Sequence, residues 1–600
     1  MATRRPPSSD PKAPRSRGAR TAPPGVARRG KAAASAAAGA RKSARGPMGS
    51  ARYRIMLGIV FAGLLALVGR IGYLQLFDQQ FLQDQGDART LRVDSINAHR
   101  GMITDRSGEP LAISTPVITL WADPRLVPDD PVRLSLLARA LGQQPDDLIR
   151  RVRQYRDAGK GFMYIKRQMT PPQAQPAIDL DVPGVHHKQE YKRYYPSGEV
   201  SAQLVGVTNV DDKGQEGLEL AYNSYLSGTP GKRRVLKDRK GRLVRDLHLI
   251  SEAKPGGDLT LSIDLRLQYM AYRELKAAVA EHRADGGTLV MMDARTGEVL
   301  AMVNQKSYNP NNRAGLDPAG LRNRAITDAF EPGSVMKPLA MSAGLASGKY
   351  QPDSVIDTTP GYMRVDRFTI RDFRNYGKLD MAGILYHSSN IGMSRMALSL
   401  EDDAVWNRYY ELGLGQAPGT GFPGETTGVL PAPTNWSRSK RASMSYGYGI
   451  SVSALQLASA YTALANDGRR LAPSLLKVNT PPVGDQIISP ENSHALLGMM
   501  EKIVQPNGPA KRAVVEGYRI AGKTGTVRKV TSGGYQKTAY RSLFAGIAPV
   551  SDPRIVTVVM IENPKGEEYY GGLVAAPVFG RVVGKALRLL DVPPDSAVGE

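Results

Sequence analysis

The chain has 600 residues, 41% hydrophobic and 23% charged, which makes it too long for one ordinary core and too apolar to be disordered throughout. Its formal charge of +24 would raise nucleic acid as a partner, but residues 1–54 alone hold 14 Lys or Arg against a single acid, Asp10. The rest is mildly basic and shows no basic helix or aromatic-interleaved module, so no nucleic-acid partner is expected. With 0 Cys there is no disulfide framework, thiolate metal site or cysteine nucleophile. There is no His-Glu-x-x-His pattern, and the adjacent His186 and His187 diverge rather than converge on an ion. No metal and no cofactor are expected.

Residues 1–50 are built from Ala, Gly, Pro, Ser and Arg and cannot bury enough surface to offset ordering entropy, so they read as a disordered basic tail. Residues 51–77 follow as an apolar segment that reaches membrane-spanning length only if Arg70 is counted inside it. A signal peptide is the competing reading, but no small-x-small cleavage site is evident. Arg70 lies near the far end, where its stem can snorkel, and the basic flank precedes the helix. The expectation is a single-pass inner-membrane protein, N-terminus cytoplasmic and the bulk of the chain periplasmic.

Residues 78–255 mix short apolar runs with Gly, Pro and charges, including a helix-like QPDDLIRRVRQYRDA, and read as a separate domain. Lys254-Pro255-Gly256-Gly257 is a strong break. Residues 256–590 then open on alternating LTLSI, a helical LRLQYMAYRELKAAVAEH, and TLVMMD and EVLAMV as a hairpin around ARTG. RSLFAGIAPV and RIVTVVMIEN add strands, and APVFGRVVGKALRLL has helical spacing. Antiparallel strands with terminal helices predict an α+β layered domain, closed by a short tail at 591–600.

Ser334-Val335-Met336-Lys337 opens the apolar run PLAMSAGLA, which places the serine in the first turn of a helix with Lys337 on the same face. A desolvated lysine can lose its proton near neutral pH and activate an alcohol. Ser-x-x-Lys also occurs at Ser9, Ser251, Ser437 and Ser474, but none of these has a long apolar helix behind it. Ser-x-Asn occurs at Ser95, Ser307 and Ser388. Ser388 and Asn390 lie downstream of Ser334 and could relay a proton and grip a substrate amide; the plain alternative for the run Ser388-Ser389-Asn390 is an N-cap on the helix that follows. Lys523-Thr524-Gly525-Thr526 is the single Lys-Thr-Gly, and its setting fits an edge strand with Lys523 and the hydroxyls facing an anion. His387 beside Ser388 reads as a packing residue rather than a catalytic one.

The order Ser-x-x-Lys, Ser-x-Asn, Lys-Thr-Gly is the signature described for penicillin-binding proteins and serine β-lactamases. Longer stretches resemble class B penicillin-binding proteins: RGMITDRSGEPLA at 100–112, the segment at 192–220, FEPGSVMKPL at 330–339 and the YGYG segment at 446–468. YYGGLVAAPVFG at 569–580 is most similar to the division-specific FtsI branch. The resemblance implies a penicillin-binding transpeptidase domain preceded by an elongated α+β pedestal, or dimerisation-type, domain and one transmembrane helix. It further implies a peptidoglycan D,D-transpeptidase cross-linking stem peptides at the septum. Ser334 would be acylated by a D-Ala-D-Ala peptide and Lys337 would take its proton. Ser388, Asn390 and Lys523 would continue the network. Thr524 and Thr526, flanking Gly525, would bind the terminal carboxylate, and the amides of Ser334 and Thr526 would form the oxyanion hole. Implied partners are stem peptides, a diamino-acid acceptor, β-lactams, an FtsW-like polymerase and other division proteins. The readings weighed against this one are a carboxypeptidase or β-lactamase, an elongation-type relative and a non-enzymatic division scaffold.

Overall fold

The computed structural model describes residues 50–76, 91–237, 243–314, 317–531 and 534–596. Most of the tail expected over residues 1–50, the residues just after the apolar segment and the last four of the C-terminal tail lie outside the described residues. The chain forms two compact units, Met1–Asp87 and Ala88–Glu600. In the first, the helix Ser50–Leu76 is exposed around its circumference although Ile55, Ile59, Phe61, Leu64, Leu65 and Leu67 are large and apolar. At about 1.5 Å per residue it is long enough to cross a hydrocarbon layer of roughly 30 Å. Arg70 lies over the ring of Tyr73, 5.4 Å from its centroid, so its stem runs along the helix toward the C-terminal end.

In the second unit, the 13-residue strand Pro110–Ala122 pairs antiparallel with both Val185–Tyr194 and Met163–Met169. Three helices pack on this sheet: Pro131–Ala140, Pro145–Asp157 and Pro171–Ile178. Each begins with proline where the missing N–H costs nothing, and Asp130 caps the first by accepting from the amides of Val132 and Arg133. Leu134, Leu137, Leu148, Val152 and Ala174 close the core beneath them. The helix anticipated at QPDDLIRRVRQYRDA is the second of these.

The segment Lys254–Gly257, where the sequence breaks, is firmly tied. Gly256 N donates to His99 O at 2.9 Å, Gly257 N to Tyr225 O at 3.0 Å, and Gly101 N to Leu226 O at 2.9 Å. The carboxylate of Asp105 accepts from the amides of Ser107 and Glu109 and, with its other oxygen, from Leu265 N at the start of the next long helix. One hydrophobic cluster therefore includes residues from both sides of this junction, from Ile103 and Leu226 to Leu261 and Leu587, while the core under the three helices stays separate.

Beyond this junction a five-stranded antiparallel sheet has the order Val299–Gln305, Gly286–Asp293, Ile555–Glu562, Gly534–Ala548, Ala521–Thr531. The helices Leu265–Glu281 and Ala576–Leu589 lie against the sheet and each other. The helix Ala454–Ala465, all 12 residues buried, covers the other face. A helix buried on every side belongs inside a layered domain, and its polar Gln456, Ser459 and Thr462 are all hydrogen-bonded. The expected hairpin, later strands and terminal helix are all present; the LTLSI run gives only the short strand Leu259–Thr260. Ala521–Thr531, which carries Lys-Thr-Gly, is the edge.

A buried ion triad organises the N-terminal part. Glu219 accepts from Arg100 Nε at 2.7 Å and Arg193 Nε at 2.6 Å, and all three side chains are essentially inaccessible. The other Arg100 donors reach Asp212 O, Asn223 Oδ1, Ser227 Oγ and Glu219 O. Removing the shared carboxylate strands two guanidinium charges. Glu219→Ala is expected to lower unfolding free energy by about 3–5 kcal/mol, read by denaturant titration of the full chain in detergent. A loss below about 1 kcal/mol would mean that water replaces the carboxylate.

Candidate active site

Ser334 lies on the 3-10 turn Gly333–Met336, immediately ahead of the helix Lys337–Ala346. The tighter turn differs from the α-helical first turn expected from the sequence, and Pro338 explains it. Having no N–H, Pro338 cannot bond the carbonyl of Ser334 four residues back, so the amide of Lys337 does so instead. The turn is clamped from three directions. Gly333 N donates to Gly447 O at 3.0 Å, and a Cβ on Gly447 would sit 2.1 Å from Gly333 O, so this approach demands glycine. Tyr461, from the buried helix, donates to Val335 O at 2.5 Å. Gly525 of the edge strand packs on the same turn: a Cβ there would lie 3.1 Å from Val335 Cγ1 and 3.3 Å from Pro332 O. Ser334 is half-buried, and among the described residues its hydroxyl forms no hydrogen bond.

The Lys337 side chain is fully buried. Its nitrogen lies 2.5 Å from Ser388 O, 2.8 Å from Asn390 Oδ1 and 3.1 Å from Ser388 Oγ. Lys523, equally buried, places its nitrogen 3.2 Å from the same Ser388 Oγ and 3.2 Å from Thr524 O. Burial pushes the Lys337 ammonium well below the usual lysine range; Lys523 pushes it further down and Asp372 pulls weakly the other way. Burial also brings Lys523 down to about 7. A neutral Lys337 has two N–H bonds and one lone pair. The carbonyl of Ser388 and the amide oxygen of Asn390 are acceptors only, so they take both hydrogens and leave the lone pair for a hydroxyl. This arrangement can remove a proton from an alcohol.

Ser388 has φ +54°, a left-handed conformation that costs a serine of order 1–3 kcal/mol. The twist turns its carbonyl to Lys337 while its hydroxyl faces both lysines. The N-cap of the helix Asn390–Ser399 is Ser389, whose hydroxyl accepts from Gly392 N at 2.9 Å, and not Ser388. The plain N-cap reading of the run thus holds through Ser389, alongside the contacts of Ser388 with the lysines. Asp372, which no local motif signals, anchors this helix start. It accepts from the Ser389 hydroxyl at 2.5 Å and from the amides of Asn390 and Ile391 at 2.6 and 3.1 Å. Tyr461 and Gly447 were likewise not singled out as site residues, though both fall within the 446–468 block quoted above.

Along the edge strand, Lys523, Gly525 and Val527 are buried while Thr524 and Thr526 are half-buried, as strand alternation requires. Thr526 Oγ1 accepts from Gly571 N at 3.0 Å, leaving its hydrogen free to donate. The His387 ring stacks on Tyr376 at 4.4 Å and meets Tyr386 edge-on at 5.0 Å; burial and Arg374 lower its pKa. It is a packing residue. Among the other Ser-x-x-Lys serines, Ser437 caps a helix by accepting from Lys440 N, and Ser474 donates to Leu476 O. Ser251 ends a strand, and Ser9 lies outside the described residues.

A serine beside a desolvated lysine, with a second hydroxyl bridging two lysines and an amide alongside, defines a serine acyltransferase type of site. Residues 287–584 match the family model "Penicillin binding protein transpeptidase domain" and residues 95–261 the "Penicillin-binding Protein dimerisation domain". The chain is 42% identical over 550 residues to the peptidoglycan D,D-transpeptidase FtsI of Escherichia coli K12, spanning 91% of this chain and 93% of that one. The transpeptidase domain of Burkholderia pseudomallei penicillin-binding protein 3 aligns with TM-score 0.52 and 41% identity, over 56% of this chain and 98% of that one. Penicillin-binding protein 3 of Mycobacterium tuberculosis, in a complex with aztreonam, gives TM-score 0.65 and 27% identity, over 84% and 99%. The chain belongs to the penicillin-binding protein transpeptidase family, with its dimerisation domain ahead of the transpeptidase domain.

The lowered Lys523 pKa links stability to pH. Between about 7 and the ordinary lysine value of 10.5 the unfolded chain binds the proton and the folded chain does not. Stability therefore rises with pH through that window and is lost as pH falls toward 7. One full proton is worth about 1.4 kcal/mol per pH unit. Unfolding free energies measured at two pH values about two units apart inside this window should rise by roughly 2–3 kcal/mol more for the native protein than for Lys523→Met. Equal gains would show that Lys523 stays charged in the folded state.

Proposed function

We propose that this chain is a septal peptidoglycan D,D-transpeptidase working through an acyl-enzyme on Ser334. The observation that supports it best is the sharing of Ser388 Oγ by two buried, pKa-depressed lysines, of which Lys337 lies one turn from the half-buried Ser334. Ser334 Oγ attacks the penultimate D-Ala carbonyl of a donor stem peptide, and its proton passes to Lys337 Nζ. The carbonyl oxygen, now anionic, meets the amides of Ser334 and Thr526. Contact of Gly525 with the Pro332–Val335 turn keeps these two backbones close. Donors of this kind are typically worth about 3 kcal/mol each.

Collapse of the adduct breaks the C–N bond. The proton held at Lys337 returns through the Ser388 hydroxyl to the amine of the departing D-Ala, leaving an ester on Ser334. An acceptor amine from a second peptide attacks the ester and loses a proton along the same relay, forming the cross-link and freeing Ser334. Thr524 and Thr526 hold the donor's terminal carboxylate from the accessible face of the strand, and Lys523 keeps Ser388 oriented. β-Lactams would acylate the same serine.

Residues 78–255 serve as a pedestal and 256–590 as the catalytic domain. Residues 51–77 anchor the protein in the inner membrane by one helix, with the basic tail cytoplasmic and the catalytic domain periplasmic. A strand-making polymerase of the FtsW type and other division proteins are the partners this division of labour calls for.

Mass spectrometry of the benzylpenicillin-treated protein should find the adduct on the peptide containing Ser334. Lys337→Arg retains the charge but cannot deprotonate in the useful range, so acylation should fall by at least about 100-fold with folding intact. Near-native acylation of this variant would remove Lys337 as the base. Protease added to spheroplasts should digest the large domain; protection would place that domain in the cytoplasm and reverse the orientation.

A further inference from the structure

A small hairpin beside the catalytic helix carries an unusual surface. Tyr362–Val365 pairs with Phe368–Arg371, Tyr362 opposite Arg371 and Arg364 opposite Thr369. Its inner face buries Val365 and Ile370 against Ile391 and Ala442. The outer face is exposed and bears Tyr362, Arg364, Thr369 and Arg371. Phe368 at the tip is 53% exposed, and Phe373, just beyond the hairpin, is 90% exposed.

The cations here are unspent. The two neighbouring acids are occupied: Asp366 accepts from Ser439 N, and Asp372 holds the start of the catalytic helix. Among the described residues, Arg364, Arg367, Arg371 and Arg374 form no ion pair, whereas Arg512 and Arg519 elsewhere on the surface pair with Glu568 and Glu501. Three of them lie instead over aromatic rings: Arg371 over Tyr362 at 5.6 Å, Arg367 over Phe368 at 5.3 Å and Arg374 over Tyr376 at 5.3 Å. A basic, aromatic face suits a polymer with flat apolar sugar faces and pendant carboxylates.

The strip also leads into the reaction site. Asn390 Nδ2 donates to the carbonyl of Arg371 at 3.2 Å, and Tyr376 stacks on His387, which precedes Ser388. We infer that the outer face of this hairpin, with Phe373, binds the glycan strand of the peptidoglycan whose peptides enter the site, its aromatic rings against sugars and its arginines on stem-peptide carboxylates. This rests on the transpeptidase reading above.

The test uses the full chain in detergent, comparing native protein with the double variant Arg364→Glu/Arg367→Glu and with Phe373→Ala. Purified sacculi, anionic phospholipid vesicles and a short D-Ala-terminated thioester serve as probes. Co-sedimentation with sacculi is expected to weaken about tenfold in the double variant and several-fold in Phe373→Ala, and native binding should fall with added salt. Thioester turnover and benzylpenicillin acylation should stay within twofold of native. Unchanged sacculus binding overturns the inference, as does loss confined to the vesicles, which would mark a lipid surface. A parallel loss of thioester turnover also overturns it, because the hairpin would then only brace the catalytic helix. If native protein is never acylated but binds sacculi through these residues, the transpeptidase reading fails and the surface assignment stands.

Discussion

Two buried lysines converging on one hydroxyl set the terms for the rest of this structure. Lys337 and Lys523 both lie within about a hydrogen-bond length of Ser388 Oγ, and among the described residues no carboxylate is in direct contact with either. Two ammonium groups in one dry pocket repel strongly, so at most one retains its proton near neutrality. Lys337 is lowered by burial and additionally by Lys523, whereas burial is the cause resolved for Lys523. Position separates the two: Lys337 opens the helix directly behind the Ser334 turn, whereas Lys523 comes from the edge strand on the far side of Ser388. In water both would be charged and neither would offer a lone pair.

The fold exists to keep that pocket dry and in register. Lysines at the start of a helix and on an edge strand would ordinarily reach solvent. Here the strand is pressed onto the serine turn through Gly525, and the turn is held from behind by Tyr461 and Gly447. Each clamp comes from a different segment of the chain. The buried helix Ala454–Ala465 therefore bears on the Ser334 turn from a distance: its Tyr461 fixes the carbonyl of Val335. The long antiparallel ladder between Ala521–Thr531 and Gly534–Ala548 gives the edge strand the stiffness that a lone edge lacks.

Much of this was legible from the residues, because helical and strand periodicities survive in a domain whose elements are long. The hairpin around ARTG, the last two strands and the terminal helix all follow from period and turn chemistry. The three short motifs pointed to Ser334, Ser388 and Lys523 because an apolar helix follows the first and an alternating strand surrounds the last. What remained hidden is what only tertiary folding brings together. Pro338 converting a helical turn to a 3-10 turn was present in the sequence as a local rule and went unread. Asp372 was not readable, since its partners lie 17 to 19 positions away on a helix whose start is set by the fold. The Lys254–Gly257 run separates the strand Leu243–Ser251 from Leu259–Thr260, but composition cannot distinguish a loose linker from one pinned by backbone hydrogen bonds on both sides.

Asp372 shows how such a pocket tolerates a carboxylate while the lysine pKa stays low. A nearby negative charge raises the Lys337 pKa and opposes burial and Lys523. If that charge were bare in a low-dielectric pocket, it would favour the ammonium form of Lys337. It is not bare, because the Ser389 hydroxyl and the amides of Asn390 and Ile391 all donate to it. The amides belong to the positive end of a helix and spread the carboxylate charge over the helix start rather than aiming it at Lys337. The same contacts fix Asn390, whose side-chain oxygen then takes one hydrogen of the lysine. One carboxylate thus positions the acceptor that keeps the amine oriented while its charge is absorbed before it can reprotonate that amine.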